Sequence, residues 1–306
     1  MNAPLVSIII PCYNHEKFVQ DSIRSIINQY YENVELIIID DGSKDSSVEK
    51  IKEMVVLCEK RFTRFEFRYR PNKGLSATLN EALEWCKGEY LSSQDSDDII
   101  LPDKIEKQVK LLSDNKNVVA VFGSIYLIDE ENKNIGEERI VESRLYDFKS
   151  IILNECQIFC PSQMIRSEHL KKVGGYKDGL IIEDWYMWLK LAKIGDLLVV
   201  PDFFAKYRQH DNNTIKQLDK MHRGRLDVLS FFKDSPYYEK ALRNVYWLNC
   251  LELAAKSNYE IKYILQLFLI NPKRFIIDFF KKTHILKNAR LQVPDLSISI
   301  FVTAIT

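Results

Sequence analysis

The sequence contains no uninterrupted run of about eighteen apolar residues, the length a helix needs to cross a bilayer, so no membrane-spanning helix is expected. Its start lacks a basic lead, an apolar segment and a small-residue cleavage site, so no secretory signal is expected either. Cysteine is sparse and unpaired in spacing. Cys156 and Cys160 are the nearest pair, and no second pair matches them as a zinc site would require. The six thiols read as reduced structural groups of a cytoplasmic protein. Charge of one sign is also missing: 43 basic and 43 acidic side chains leave a net charge of +0, so nothing draws the chain to nucleic acid. No Gly-x-Gly-x-x-Gly follows the first strand-like run, where Pro11-Cys12-Tyr13-Asn14 stands instead. A dinucleotide would lack its glycine approach there, and no Lys-Ser/Thr phosphate loop replaces it.

What is present is an alternation of β-type apolar runs with helical periodicity, the pattern of a mostly parallel α/β sheet with crossover helices. Strands are predicted over 5–10, 34–39, 65–69 and up to Leu91, with helices over 16–29, 45–60 and 75–86 between them. Each strand ends in polar, turn-forming residues. In open α/β sheets ligands bind at those carboxyl ends, so the polar clusters are expected to converge. A helix over 103–113, a strand over 118–128 and a charged hairpin through Glu142 follow. Further on, a helix opens at Glu183-Asp184-Trp185, and two strands are expected over 197–200 and 203–207.

The most informative stretch is Ser92-Ser93-Gln94-Asp95-Ser96-Asp97-Asp98. Alternation along an extended chain lets Asp95 and Asp97 point the same way. Carboxylates this close repel unless water or a cation screens them. Hard oxygen ligands on a short loop suit Mg2+ or Mn2+ carrying substrate phosphates. A solvated turn capping the next helix is the competing reading. Asp40 and Asp41 could likewise be ordinary caps, and Glu183 and Asp184 sit where a helix dipole favours negative charge.

Taken in order, several segments resemble the family 2 glycosyltransferases, inverting enzymes of the GT-A fold that use nucleotide-sugar donors. These are Val6–Asn14, Ile38–Ser43, Asn72-Lys73-Gly74, Asp95-Ser96-Asp97-Asp98, Gly174-Gly175-Tyr176, Glu183-Asp184-Trp185 and Tyr207-Arg208-Gln209-His210. The resemblance covers roughly residues 4 to 212. It implies an α/β, Rossmann-like fold with helices on both faces of the sheet, a catalytic domain over 1–214 and a helical region over 215–306. It further implies that Pro11 and Tyr13 shape the floor under the base and that Asp41 accepts a hydrogen from a pyrimidine ring, with Asp40 as its rival. The segment from Asn72 to Gly74 would close over the nucleotide, Asp95 would face the ribose, and Asp97 with His210 would hold Mn2+ or Mg2+. Asp184 would be the general base, with Glu183 as the rival, and Asp98 a helix cap. Cys12 departs from the family's small or hydroxyl residue, which puts that one nucleotide contact in doubt.

The expected reaction is transfer from a UDP-sugar to a hydroxyl of a glycan or polyprenyl-diphosphate-linked acceptor, in surface polysaccharide biosynthesis. A non-catalytic nucleotide-sugar binder and a nucleotidyltransferase are the alternatives. A pure binder needs no base, and the glycine- and lysine/arginine-rich loop expected of a nucleotidyltransferase is missing. Beyond Thr214 helical periodicity dominates, and between Lys256 and Arg290 basic residues outnumber acidic ones. Such a basic, aromatic-rich tail suits an anionic membrane surface, on the cytoplasmic face, as well as simple packing. The apolar end, 298–305, has no further reading.

Overall fold

The computed structural model describes residues 3–211, 213–257 and 260–281. The chain runs through β1 (Val6–Cys12), α1 (Val19–Ile27), β2 (Val34–Asp40), α2 (Ser47–Lys52), α3 (Val55–Arg61) and β3 (Arg64–Tyr69). Next come α4 (Leu75–Trp85), β4 (Tyr90–Ser93), β5 (Ile99–Ile100), α5 (Lys104–Asp114) and the long β6 (Val118–Ile128). The short elements β7 (Asn134–Arg139), β8 (Arg144–Tyr146), α6 (Phe148–Ile152), β9 (Met164–Arg166) and α7 (Ser167–Lys172) lead to α8 (Glu183–Leu191) and β10 (Asp196–Arg208). Helices α9 (Leu218–Ser230), α10 (Tyr238–Lys256), α11 (Ile261–Ile270) and α12 (Pro272–Lys281) follow. The chain divides into two compact units, Met1–Asn244 and Val245–Thr306. Lys282, Lys287, Arg290 and the apolar end 298–305 lie outside the described residues.

A ten-stranded mixed sheet organises the first unit, in the order β3-β2-β1-β4-β9-β6-β10-β5, with β7 beside β6 and β8 beside β10. The longer ladders are parallel, β1 with β2 over seven residues and β6 with β10 over nine. Shorter antiparallel pairs fill the middle and the edges. Every residue of β2 is buried, as expected of an interior parallel strand covered on both faces. Helix α1 buries Val19, Ile23 and Ile26 at helical spacing, with the small Ser22 and Ser25 between them.

Two expectations are corrected. The helix anticipated over 45–60 is two helices, α2 and α3, and Met54 at the break lies in the core. The pair of strands anticipated over 197–207 is the single strand β10, whose register against β6 slips between Val199 and Phe203. Pro201, which has no N–H to give a ladder, lies inside that slip and suits it. The resulting bulge presses the Asp202 carbonyl and the Phe204 ring onto Gly123 of β6, leaving no room for a Cβ. A second glycine answers to geometry as well. Gly175 has φ +70°, and a Cβ there would stand 2.6 Å from Asn80 Oδ1, the atom that accepts from the Tyr176 amide at 2.9 Å.

Gly123→Ala is expected to destabilise the fold by about 1–3 kcal/mol through overpacking, read as a lower urea midpoint with an unchanged slope. Burial pushes the thiols of Cys12, Cys58 and Cys86 up to about 12 from 9.0. In the unfolded chain those thiols lose protons from about 9, while the native ones retain them. Their stabilising share is therefore whole below pH 9 and is lost as pH rises from 9 towards 12. Native protein should react slowly with a thiol reagent at pH 8.5, protein in urea should react fully, and the urea midpoint should drop between pH 8.5 and 10.

Candidate active site

Strands β2, β1 and β4 are parallel neighbours, so the loops after them meet at one edge of the sheet. There the Asp40 carboxylate accepts from the amides of Gly42 and Ser43 at 3.1 and 2.9 Å and from Ser43 Oγ. It shapes the turn after β2 and caps no helix. The Asp41 carboxylate pairs with Arg70 and accepts from the amides of Lys73 and Gly74 at 2.8 and 2.9 Å. Asn72 donates to the Asp41 carbonyl at 2.8 Å. Asp40, Asp41, Asn72 and Gly74 thus form one hydrogen-bonded group.

The acidic stretch forms a second group. Asp97, Asp98 and Glu183 are buried, whereas Asp95 and Asp184 keep part of their surface accessible. Burial raises the Asp95 carboxyl to about 7, and the nearby charges of Asp97 and Asp184 add to it. Burial also raises Glu183, with Asp184 and Asp95 as further causes. Asp184 is raised by burial, against hydrogen bonds from the Trp185 amide and the Cys160 thiol. Residues nearly ninety positions apart therefore share one electrostatic cluster. Gln163 braces it, donating to Ser93 Oγ at 2.6 Å and to Cys160 Sγ at 3.3 Å while accepting from Trp188 Nε1.

Basic groups answer these acids from below and from the side. Lys104 is fully buried and donates to Ser92 Oγ and to the Pro161 carbonyl. Burial lowers its ammonium to about 7, in spite of the favourable charges of Cys160, Asp95 and Asp98. Arg208, also fully buried, gives its amide to Asp98 Oδ1 at 2.8 Å and Nε to the Asp97 carbonyl at 2.7 Å. Asp98 is therefore a tether for β10 rather than a helix cap.

His210 Nε2 lies 2.8 Å from Asp97 Oδ2, and His15 Nε2 lies 3.9 Å from the same oxygen. One ligand atom from each of the three residues falls within 4.8 Å of the others, a set with the chemistry and size to hold a divalent ion. Burial works to raise the Asp97 carboxyl, but the His210 hydrogen bond and the two imidazoles hold it below its usual range. Pro11 and Tyr13 stand on the segment that joins the two groups: its Asn14 contacts Ser43 and Lys44, and its His15 contacts Ser96. Tyr13 is 46% exposed, open to stacking from solvent.

Three members of this site do not stand out in the sequence. His15 has one available signal, its place directly after the polar end of the first strand. Lys104 has none, because it opens α5 after Asp103 as one of three lysines in that helix. Cys160 reads only as an unpaired thiol.

Comparison with known proteins places the chain by sequence and by fold. The model of the family named glycosyl transferase family 2 matches residues 7–174. An uncharacterised glycosyltransferase of Haemophilus influenzae is 35% identical over 228 residues, 70% of this chain and 68% of its own length. Another, from Methanocaldococcus jannaschii, is 27% identical over 93% of this chain and 97% of its own length. Among solved structures, the mannosyltransferase PcManGT from Pyrobaculum calidifontis, in complex with GDP-Man and Mn2+, has a TM-score of 0.62 at 14% identity. That match covers 94% of this chain and 81% of the other. S. aureus TarS 1-349 with UDP-GlcNAc has a TM-score of 0.58 at 14% identity, covering 96% and 95%. The architecture is thus the GT-A fold, and the chain belongs to the family 2 glycosyltransferases, enzymes that transfer sugars.

Proposed function

We propose that the chain transfers a sugar, with inversion, from a nucleotide-sugar donor to a hydroxyl of a glycan or polyprenyl-diphosphate-linked acceptor in surface polysaccharide synthesis. The observation that carries this reading is the single cluster joining Asp95, Asp97 and Asp184. Inversion needs a base on the face of the sugar opposite the leaving nucleotide. Asp184 suits that role because it keeps access to solvent and its raised carboxyl holds a proton more readily than an ordinary aspartate. Glu183 is raised as well, and Asp184 is preferred as the second acid of the pair, the position where the family resemblance places the base.

On the donor side, Tyr13 and Pro11 form the floor for the base. Asp41 Oδ2 takes one hydrogen bond, from Gly74, among the described residues, and keeps a second acceptor direction for a pyrimidine N–H. That favours UDP, the nucleotide present with TarS. Asn72 and Gly74 border the base, and Asp95 faces the ribose. Asp97 and His210 would hold Mn2+ or Mg2+, which when bound neutralises charge on the departing diphosphate. Mn2+ accompanies GDP-Man in the mannosyltransferase neighbour.

A peripheral place on the cytoplasmic leaflet fits the second unit. Among the described residues no helix is long and apolar enough to cross a membrane. Helix α11 nevertheless exposes Ile261, Leu265, Phe268 and Leu269, one helical face, by 37 to 76%. Lys262 lies in its first turn, and Lys273 and Arg274 follow it in sequence. An apolar face beside basic side chains is the composition of an interfacial helix.

Asp184→Asn is expected to cut transfer at least ~100-fold, the usual weight of a positioned general base. Donor binding, followed by thermal shift in a screen of nucleoside diphosphates and UDP-sugars with Mn2+, should stay near that of wild type. Retained transfer, or lost donor binding, would remove the assignment. The protein should float with vesicles containing anionic lipid and not with neutral ones, and Leu265→Glu with Leu269→Glu should abolish flotation.

A further inference from the structure

We propose that His15 is a third protein ligand of the cation site. Two imidazoles beside one carboxylate would then make the site bind nitrogen-accepting ions (Mn2+, Co2+, Zn2+) in preference to Mg2+, and bind them before the nucleotide arrives. The inference rests on the reading of Asp97 and His210 as the cation's holders, and adds a ligand and a selectivity to it.

Geometry supports the third ligand. The three ligand atoms lie within 4.8 Å of one another. Metal bonds of about 2.1 Å place ligands up to about 4.2 Å apart, so closure of roughly half an ångström seats an ion among them. His15 is held in place on both sides. Its amide donates to Ser47 Oγ at 2.9 Å, and its ring Nδ1 lies 2.7 Å from Ser96 Oγ. With Nδ1–H donating to that hydroxyl, the Nε2 lone pair is the one that faces Asp97, as an outer hydrogen bond fixes the tautomer of a ligating imidazole. His210 is positioned by its amide, which donates to Asn213 Oδ1 at 2.7 Å, and its Nε2 lies 3.2 Å from Asn213 Nδ2; its ring meets His15 edge-on at 5.8 Å between centroids.

Donor chemistry supplies the selectivity. Mg2+ prefers oxygen ligands and keeps its waters, so two imidazoles gain it little. Imidazole suits later first-row ions, with affinity rising along the series from Mn2+. A site with one carboxylate needs substrate phosphates to complete it. Three side chains from two separate loops and a strand end already offer three ligand atoms.

The test follows Mn2+ by the EPR signal of the free ion, on the full chain, first without nucleotide and then with UDP. Wild type is expected to bind Mn2+ without UDP and to require at least ~10-fold more Mg2+ than Mn2+ for half displacement. His15→Gln should lose ~10-fold or more of the nucleotide-free affinity while still binding Mn2+ when UDP is present. Pulsed EPR of Mn2+-loaded wild type, which does not depend on the variant folding, should show coupling to two imidazole nitrogens. One nitrogen, or equal nucleotide-free affinity in wild type and His15→Gln, overturns the proposal. Binding that appears only with UDP also overturns it while leaving the diphosphate–cation reading intact; absence of binding in both conditions overturns that reading as well.

Discussion

Five carboxyl groups, Asp95, Asp97, Asp98, Glu183 and Asp184, are gathered at one end of the sheet, and their mutual repulsion is the constraint that the surrounding structure answers. Four of them are raised, each with burial as the leading cause. Asp97 alone is lowered, because two imidazoles face it. A buried charge is tolerated only when paired and hydrogen-bonded. Arg208 answers them at full burial: its amide donates to Asp98, and its guanidinium donates to the Asp97, Asp129 and Glu130 carbonyls and faces the Asp21 carboxylate. Its guanidinium also lies 4.7 Å from the Phe18 ring centroid, so the neighbouring helix α1 closes the remaining side.

The topology explains how a distant strand can do this. Strand β10 is separated from β4 by β9 and β6, yet β5, two residues long, leaves the acidic loop and pairs antiparallel with Ala205 and Lys206. That small ladder stitches the loop to the end of β10, so Arg208 and His210 emerge beside Asp97 and Asp98. The bulge around Pro201 lies upstream in the same strand and changes its register against β6 before that point. Gly123 is the residue that makes room for it. A packing decision at mid-sheet is thereby linked to the aim of the site's residues.

Much of this was legible in the residues, for physical reasons. Apolar runs such as Leu36–Ile39 announce interior strands, and polar residues at successive strand ends announce a shared edge. The helices of the second half were equally plain from their period. What could not be read was pairing. Nothing in Ile99-Ile100 distinguishes a two-residue strand from a turn, and nothing in Lys104 reveals a cation under Ser92, because both facts depend on partners far along the chain. His15 is an intermediate case. Its place after β1 put it at the ligand edge, but only the turn held by Ser43, Lys44 and Ser47 aims its ring at Asp97.

The two acids of the Glu183-Asp184 pair show how the fold gives neighbours of like chemistry different surroundings. Both begin α8, both are raised by burial, and a dipole argument treats them alike. Consecutive residues at a helix start point in different directions, and here one is buried while the other stays partly open. Asp184 receives hydrogen bonds from the Trp185 amide and the Cys160 thiol, which orient it without neutralising it. Trp185 is itself anchored through Nε1 to the Ile151 carbonyl at 3.2 Å, so the helix start cannot rotate freely. A raised, oriented carboxylate that keeps part of its surface open is suited to taking a proton from a hydroxyl.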